Sequence, residues 1–172
     1  MRATAAAVLF VACRPSAARA PAWITSEGAV CTADGCADVD AVPDGVDVLR
    51  DGRVVFVARA RTGTHIAVVH PGSGAAPKVL TSRPGFHDRP IVDPTGTRIA
   101  YVAAAHGLPS LFVIGVDGGP PRQITNVGLA LGPPGPDRLP ADRTVPPQDR
   151  ESMSWDERGI CWDQVCVDPG AP

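Results

Sequence analysis

DPTGTRIAYVAAAHGLPSLFVIGVDGGPPRQIT, from Asp93 to Thr125, is the stretch that decides the fold. A turn at Pro94-Thr95-Gly96 opens it. An apolar run follows from Ile99 to Ala103, then small residues around His106, Gly107 and Pro109. A second run, Leu111 to Val116, stops at Asp117-Gly118-Gly119, and a short third run closes at Ile124-Thr125. Short runs rich in β-branched and aromatic residues, bounded by Gly, Pro and Asp, predict strands joined by tight turns. The stretch therefore predicts a unit of three to four antiparallel strands. Gly96 and Gly107 bound the first run too closely for a helix, and helix signals are nearly absent elsewhere.

The same pattern occurs one unit earlier. Arg53-Val54-Val55-Phe56-Val57-Ala58 aligns with Arg98-Ile99-Ala100-Tyr101-Val102-Ala103 at an offset of about 45 residues, and Lys78-Val79-Leu80-Thr81 with Arg122-Gln123-Ile124-Thr125 at about 44. Between these anchors both copies hold a turn, a second apolar run (Ile66 to Val69; Leu111 to Ile114) and a Gly-rich turn. The two ends match each other. Gly28 to Asp38 reads G-x-x-C-x-x-x-x-C-x-D, and Gly159 to Asp168 reads G-x-C-x-x-x-x-C-x-D. Prolines in the stretch from Asn126 to Asp149 forbid regular strands and helices, so 126–149 is expected to be a long loop.

The chain has 172 residues, enough for one domain, and its 44% hydrophobic content is that of a globular protein. Eighteen glycines and 19 prolines suit a turn-rich β protein. The residues up to Ala20 carry Arg2, Arg14 and Arg19 and no acid. Of the 16 basic residues, 13 thus remain against 18 acidic ones. A mildly acidic chain with no basic stripe argues against nucleic acid and against electrostatic docking on anionic lipid.

The N-terminus places one Arg before an apolar stretch (Ala3 to Ala12) and then small residues, the layout of a secretory signal. Residues 1–22 are read as that signal and 23–172 as the mature domain. Two fates compete. Ala18-Arg19-Ala20 and Ala20-Pro21-Ala22 are cleavage sites of the A-x-A type. Phe10-Val11-Ala12-Cys13 resembles a lipoprotein box, with Cys13 as the acylated residue and a lipid anchor as the only membrane attachment. Four further cysteines form two pairs, Cys31/Cys36 and Cys161/Cys166, each with four residues between. An even number in an exported chain points to disulfides. A bridge across each hairpin fits the spacing. Pairing between the two ends, a four-thiolate zinc site and free thiols are the alternatives.

Arg89 to Val102 resembles the repeat of TolB-like, WD-repeat-like β-propellers, whose blade reads roughly P-x-W-S-P-D-G-x-x-I-A-F, then a strand ending in D-x-x-G and a closing L-T. Asp93-Pro94-Thr95-Gly96 stands for S-P-D-G, with Val92 in place of the Trp. Val116-Asp117-Gly118-Gly119 and Gln123-Ile124-Thr125 complete the unit. Leu49-Arg50-Asp51-Gly52 is a second version, and Trp155-Asp156-Glu157-Arg158-Gly159 a third. The likeness is clearest from Val46 to Thr125. It implies an all-β fold of antiparallel four-stranded blades in a small or incomplete β-propeller, each blade burying its faces against its neighbours. The two ends would either combine into one composite blade or leave an open array. A shortened relative that assembles with another chain is a further alternative, and exposed edges would favour self-association.

Few residues carry chemistry. His65, His70, His87 and His106 lie singly at turns or strand ends, with no H-x-H or H-x-x-x-H spacing for a metal. Gly72-Ser73-Gly74 is not a nucleophile motif. Asp34, Asp38, Asp117, Asp156 and Asp168 sit in turns, where aspartate usually bonds its own backbone; calcium is the alternative. Gly96, Gly118 and Gly119 precede no helix and form no phosphate loop. Trp23, Trp155 and Trp162 are either packing between blades or anchors for a partner, and His106 joins them as a loop candidate. The expected function is a non-enzymatic envelope scaffold that binds an envelope protein, glycan or peptide, without cofactor or metal. The rival readings are an accessory propeller of a prolyl-oligopeptidase-type hydrolase and a remnant without a ligand.

Overall fold

A computed structural model describes residues 21–105, 108–125, 153–162 and 165–170. Residues 1–20 of the expected signal, Cys13 among them, His106 and the Pro-rich stretch 126–149 lie outside them. The described residues are all β, in four antiparallel sheets that follow chain order. The first holds β1 (Trp23–Ile24), β2 (Ala29–Thr32) and β3 (Gly35–Asp38). The second holds β4 (Ala41–Val48), β5 (Val54–Ala60), β6 (Gly63–Val69) and β7 (Lys78–Val79). The third holds β8 (His87–Val92), β9 (Arg98–Ala105), β10 (Leu108–Gly115) and β11 (Arg122–Gln123). The fourth holds β12 (Met153–Asp156), β13 (Gly159–Trp162) and β14 (Val165–Val167). Each is an up-and-down meander in sequence order.

Side chains alternate across a strand, and that alternation sorts the core. In β5, Val55 and Val57 face one cluster while Val54 and Phe56 face another. Ile66 and Val68 of β6 join the first, Ala67 and Val69 the second. The third sheet does the same: Ile99, Tyr101 and Ile114 share the cluster of Val55, while Ala100, Val102, Leu111 and Val113 meet Met153 and Ile160 of the fourth sheet. Val30 brings the first sheet against the second. The apolar runs of β5 and β9 lack polar alternation because both faces of the middle sheets are covered. Three cores thus join four sheets in series. Among the described residues no cluster joins the first sheet to the last. The first strands of successive sheets, β1, β4, β8 and β12, lie beside one another in that order, as blades do about an axis.

The 44–45 period is structural. Leu49 donates to Arg53 and Asp93 to Arg98 across the turn before the second strand, and Gly52 and Gly96 donate to Leu49 and Asp93. Gly96 takes φ 78° and Gly52 φ 85°, the left-handed region that a glycine enters at low cost. The third sheet's turn is one residue longer, which moves the offset from 44 to 45. The closing L-T pair has a physical reason. The fourth strand is two residues long, and after it Leu80 donates to the Ile66 carbonyl while the Thr81 hydroxyl accepts from the Ile66 N–H at 3.0 Å. Ile124 and Thr125 do the same for Leu111, at 2.9 Å for the hydroxyl. A buried threonine hydroxyl extends the ladder where the strand has ended.

Among the described residues the terminal sheets have three strands rather than four, and they are not paired with each other. In each, the cysteines face each other directly: Cys31 opposite Cys36 and Cys161 opposite Cys166, bridged with Cα separations of 4.1 and 4.0 Å. The hairpin pairing holds, and the cross-pairing and zinc alternatives fall with it. Each bridge staples a sheet that has one covered face.

Candidate functional site

The site is built by the connection from β7 to β8. After Thr81 the chain runs Ser82-Arg83-Pro84-Gly85-Phe86 and is fastened to the end of the β5–β6 hairpin. Thr64 N–H donates to the Gly85 carbonyl at 2.9 Å. The Thr64 hydroxyl donates to the His87 carbonyl at 2.6 Å and accepts from the His87 N–H at 2.8 Å. The His87 ring donates from Nδ1 to the Thr64 carbonyl at 2.6 Å. Only glycine fits the crossing: a Cβ on Gly63 would stand 2.0 Å from the Gly85 oxygen. Phe86, held between two anchored residues, is left 59% exposed.

Beneath it lies a row of rings. His65 stacks on His87 with centroids 5.6 Å apart, His87 meets Tyr101 at 5.8 Å, and Tyr101 stacks on Phe112 at 5.7 Å. Together with Arg83, Pro84, Phe86 and Pro121, the last three of these rings, His87, Tyr101 and Phe112, line a cleft of about 260 Å³ between the second and third sheets. Burial, and more weakly the neighbouring His65, hold the His87 imidazole below its usual pKa, so it is neutral at pH 7. Because the Thr64 carbonyl can only accept, the His87 proton sits on Nδ1. Burial pushes the Tyr101 phenol up to about 12, with the Arg83 charge acting the other way. Tyr101 is therefore a neutral donor. The cleft can hold an apolar or aromatic group and offer it a phenol and a guanidinium. None of its lining residues is acidic.

Of the residues singled out by sequence, His87 lines the cleft, while Trp23 and Trp155 do not. Trp23, 48% exposed, sits on the edge strand β1. Trp155 is half-buried in the third core, with the Arg98 guanidinium 5.1 Å from its ring centre. That is the packing alternative, with a cation–π contact added. Trp162 lies on β13 with its side chain outside the described residues, as is His106. Of the histidines, His65 and His87 meet although 22 positions separate them, and His70 sits exposed in a turn with Nδ1 3.2 Å from the Pro71 carbonyl. The Ser73 hydroxyl donates to the His70 carbonyl at 2.7 Å. Among the described residues no three His, Cys, Asp or Glu side chains gather as metal ligands.

The turn aspartates bond locally. Asp156 accepts from the Arg158 N–H and Asp168 from the Gly170 N–H. Asp117 takes a different role, pairing with Arg53 of the second sheet at 3.0 Å. Asp93 is buried. Burial pushes its carboxyl up, but bonds from the Thr95 hydroxyl and from the Arg98 and Thr97 N–H groups outweigh it and hold the pKa below the usual carboxylate value.

No family model and no curated protein matches the sequence. Among solved structures the chain is similar to a protein from Agrobacterium tumefaciens assigned as TolB, at 17% identity and a TM-score of 0.46. The match covers 63% of this chain and 46% of that one, so the chain spans less than half of that protein's length.

Proposed function

We propose that this chain is an exported, non-enzymatic binding module of the cell envelope that engages a protein or peptide through the cleft beside Phe86. The observation that carries the reading is the cleft itself, where aromatic and proline side chains stand open between two sheets and a phenylalanine is held exposed by hydrogen bonds on both sides. A large exposed aromatic on an anchored segment is the make-up of a recognition surface. The His87 ring donates from Nδ1 to a backbone carbonyl rather than to a carboxylate, and among the described residues no nucleophilic side chain is bonded to the ring. This favours binding over catalysis. Export is supported by the two bridged hairpins, since disulfides persist in oxidising compartments, and by the leader-like order of residues 1–22.

The test is photo-cross-linking in cells, with a benzophenone amino acid at position 86 and, as control, at Ala33 in the β2–β3 turn. The reading expects a discrete adduct in the envelope fraction from position 86 only. Protein found in the cytosol with reduced thiols, or the same adducts from both positions, would overturn it.

A further inference from the structure

We infer that the cleft between the second and third sheets binds an aromatic carboxylate, either a free acid or the carboxyl-terminal residue of a peptide. Its ring would lie against Phe86 and Phe112 and its carboxylate between Arg83 and the Tyr101 hydroxyl. This rests on the binding-module reading and specifies its ligand.

Four independent observations converge. The cleft, about 260 Å³, falls just under the roughly 300 Å³ at which drug-sized pockets begin, so it suits one ring and its substituent rather than a large ligand. Its walls are aromatic and proline-rich, and flat rings pack well against flat rings. Its charge is one-signed: Arg83 lines it, no lining residue is acidic, and among the described residues Arg83 has no carboxylate partner. The fourth observation is the Tyr101 hydroxyl. Tyr101 lines the cleft, and its hydroxyl makes no hydrogen bond among the described residues, so it is free to donate to a ligand there. A carboxylate oxygen would accept from the phenol, which stays protonated at pH 7, and from the guanidinium. Charge-assisted hydrogen bonds of this kind are about twice as strong as neutral ones.

The assay is a proton–nitrogen NMR titration of the full chain with its disulfides formed. Four probes are used: phenylpropionate, phenylpropanol, a short peptide ending in Phe with a free carboxylate, and the same peptide amidated. The inference expects saturable shifts at Phe86, Tyr101 and Phe112 with at least one carboxylate probe. The matching alcohol or amide should bind about tenfold more weakly or worse, as loss of one charged hydrogen bond implies. Arg83→Gln, a change at an exposed residue, should erase the preference for the acid without altering shifts in the first and fourth sheets. Tyr101→Phe should weaken the acid several-fold. Binding of the free acid alone identifies a small molecule as the source. Binding of the free-carboxylate peptide alone identifies a chain terminus. Absence of saturable shifts with both carboxylates, or equal affinity for acid and alcohol, overturns the ligand class. A position-86 adduct in the envelope would in that case still leave the binding-module reading standing.

Discussion

Replacing Thr81 by valine tests the repeat at the level of a single atom. Valine keeps the shape and removes the hydroxyl. The Ile66 N–H, which donates to that oxygen at 3.0 Å inside the core, then has no acceptor. Thr81 is 4% exposed, so water does not replace the lost group. An orphaned buried amide costs about 1–3 kcal/mol. With a urea slope of about 2 kcal/mol per molar, the middle of the usual range, the unfolding midpoint should fall by roughly 1 M. Thr81→Ser is the matched control. It keeps the acceptor and loses one methyl, worth about 0.8 kcal/mol. Thr125→Val should behave alike, because Leu111 depends on Thr125 as Ile66 depends on Thr81. The assay is urea unfolding followed by far-UV dichroism, with amide exchange read at Ile66. A Thr81→Val variant within about 0.5 kcal/mol of the parent, the range of a neutral surface change, would refute the reasoning. So would a serine variant as damaged as the valine one.

Three further predictions follow from named contacts. Gly96→Val should cost about 1–3 kcal/mol, because a β-branched residue would be held at φ 78°, while Gly74→Ala, at φ 71° but without a β-branch and with open space around it, should cost less; thermal melts compare them. Asp93 has a folded pKa below its ordinary value of 3.8, so its contribution is present above that value and lost as pH falls through it toward the folded pKa; Asp93→Asn should flatten the acid limb of a stability–pH curve, and an unchanged limb would exclude Asp93 as its source. His87 also titrates low. Its folded preference for the neutral ring is fully expressed above 6.5 and declines as pH drops below, so the histidine signal followed by NMR should titrate below 6.5 and move toward that value in Thr64→Gly, which loosens the anchored segment.

Much of the fold is legible in the sequence because it is written in local chemistry. Val54 to Val57 shows no polar alternation, and the structure places a sheet against each face of that strand. Leu80-Thr81 and Ile124-Thr125 mark where a two-residue strand needs a side-chain acceptor. Cys31 and Cys36 stand at hairpin spacing and face each other. The inner strands are less legible. Pro43, Asp44 and Gly45 in β4, and Arg89 at φ 55° before Pro90 in β8, form irregularities in the pairing with β5 and β9. Proline and irregular pairing on an edge strand hinder pairing with another chain, but no periodicity announces them.

The cleft was the part that spacing could not reveal. It depends on Gly63 and Thr64 meeting Gly85 and His87, contacts between segments some 20 residues apart that obey no repeat. Position 65 in the second sheet corresponds to Ser110 in the third, whose buried hydroxyl has no partner among the described residues. The row of rings therefore occurs at one sheet junction and not at its repeat. The one cue in the sequence was Phe86, an aromatic in a connection otherwise made of Ser, Arg, Pro and Gly.

The most direct test of an exported, stapled stack of sheets is disulfide mapping of protein isolated from its native cell under non-reducing conditions. After tryptic cleavage, the peptide ending at Arg50 holds both Cys31 and Cys36, and the one beginning at Gly159 holds both Cys161 and Cys166. The account predicts two separate peptides, each lighter by two hydrogens and resistant to alkylation until reduced. A covalent link between these two peptides, or free thiols in both, would contradict the hairpin staples and, in the second case, the oxidising compartment as well.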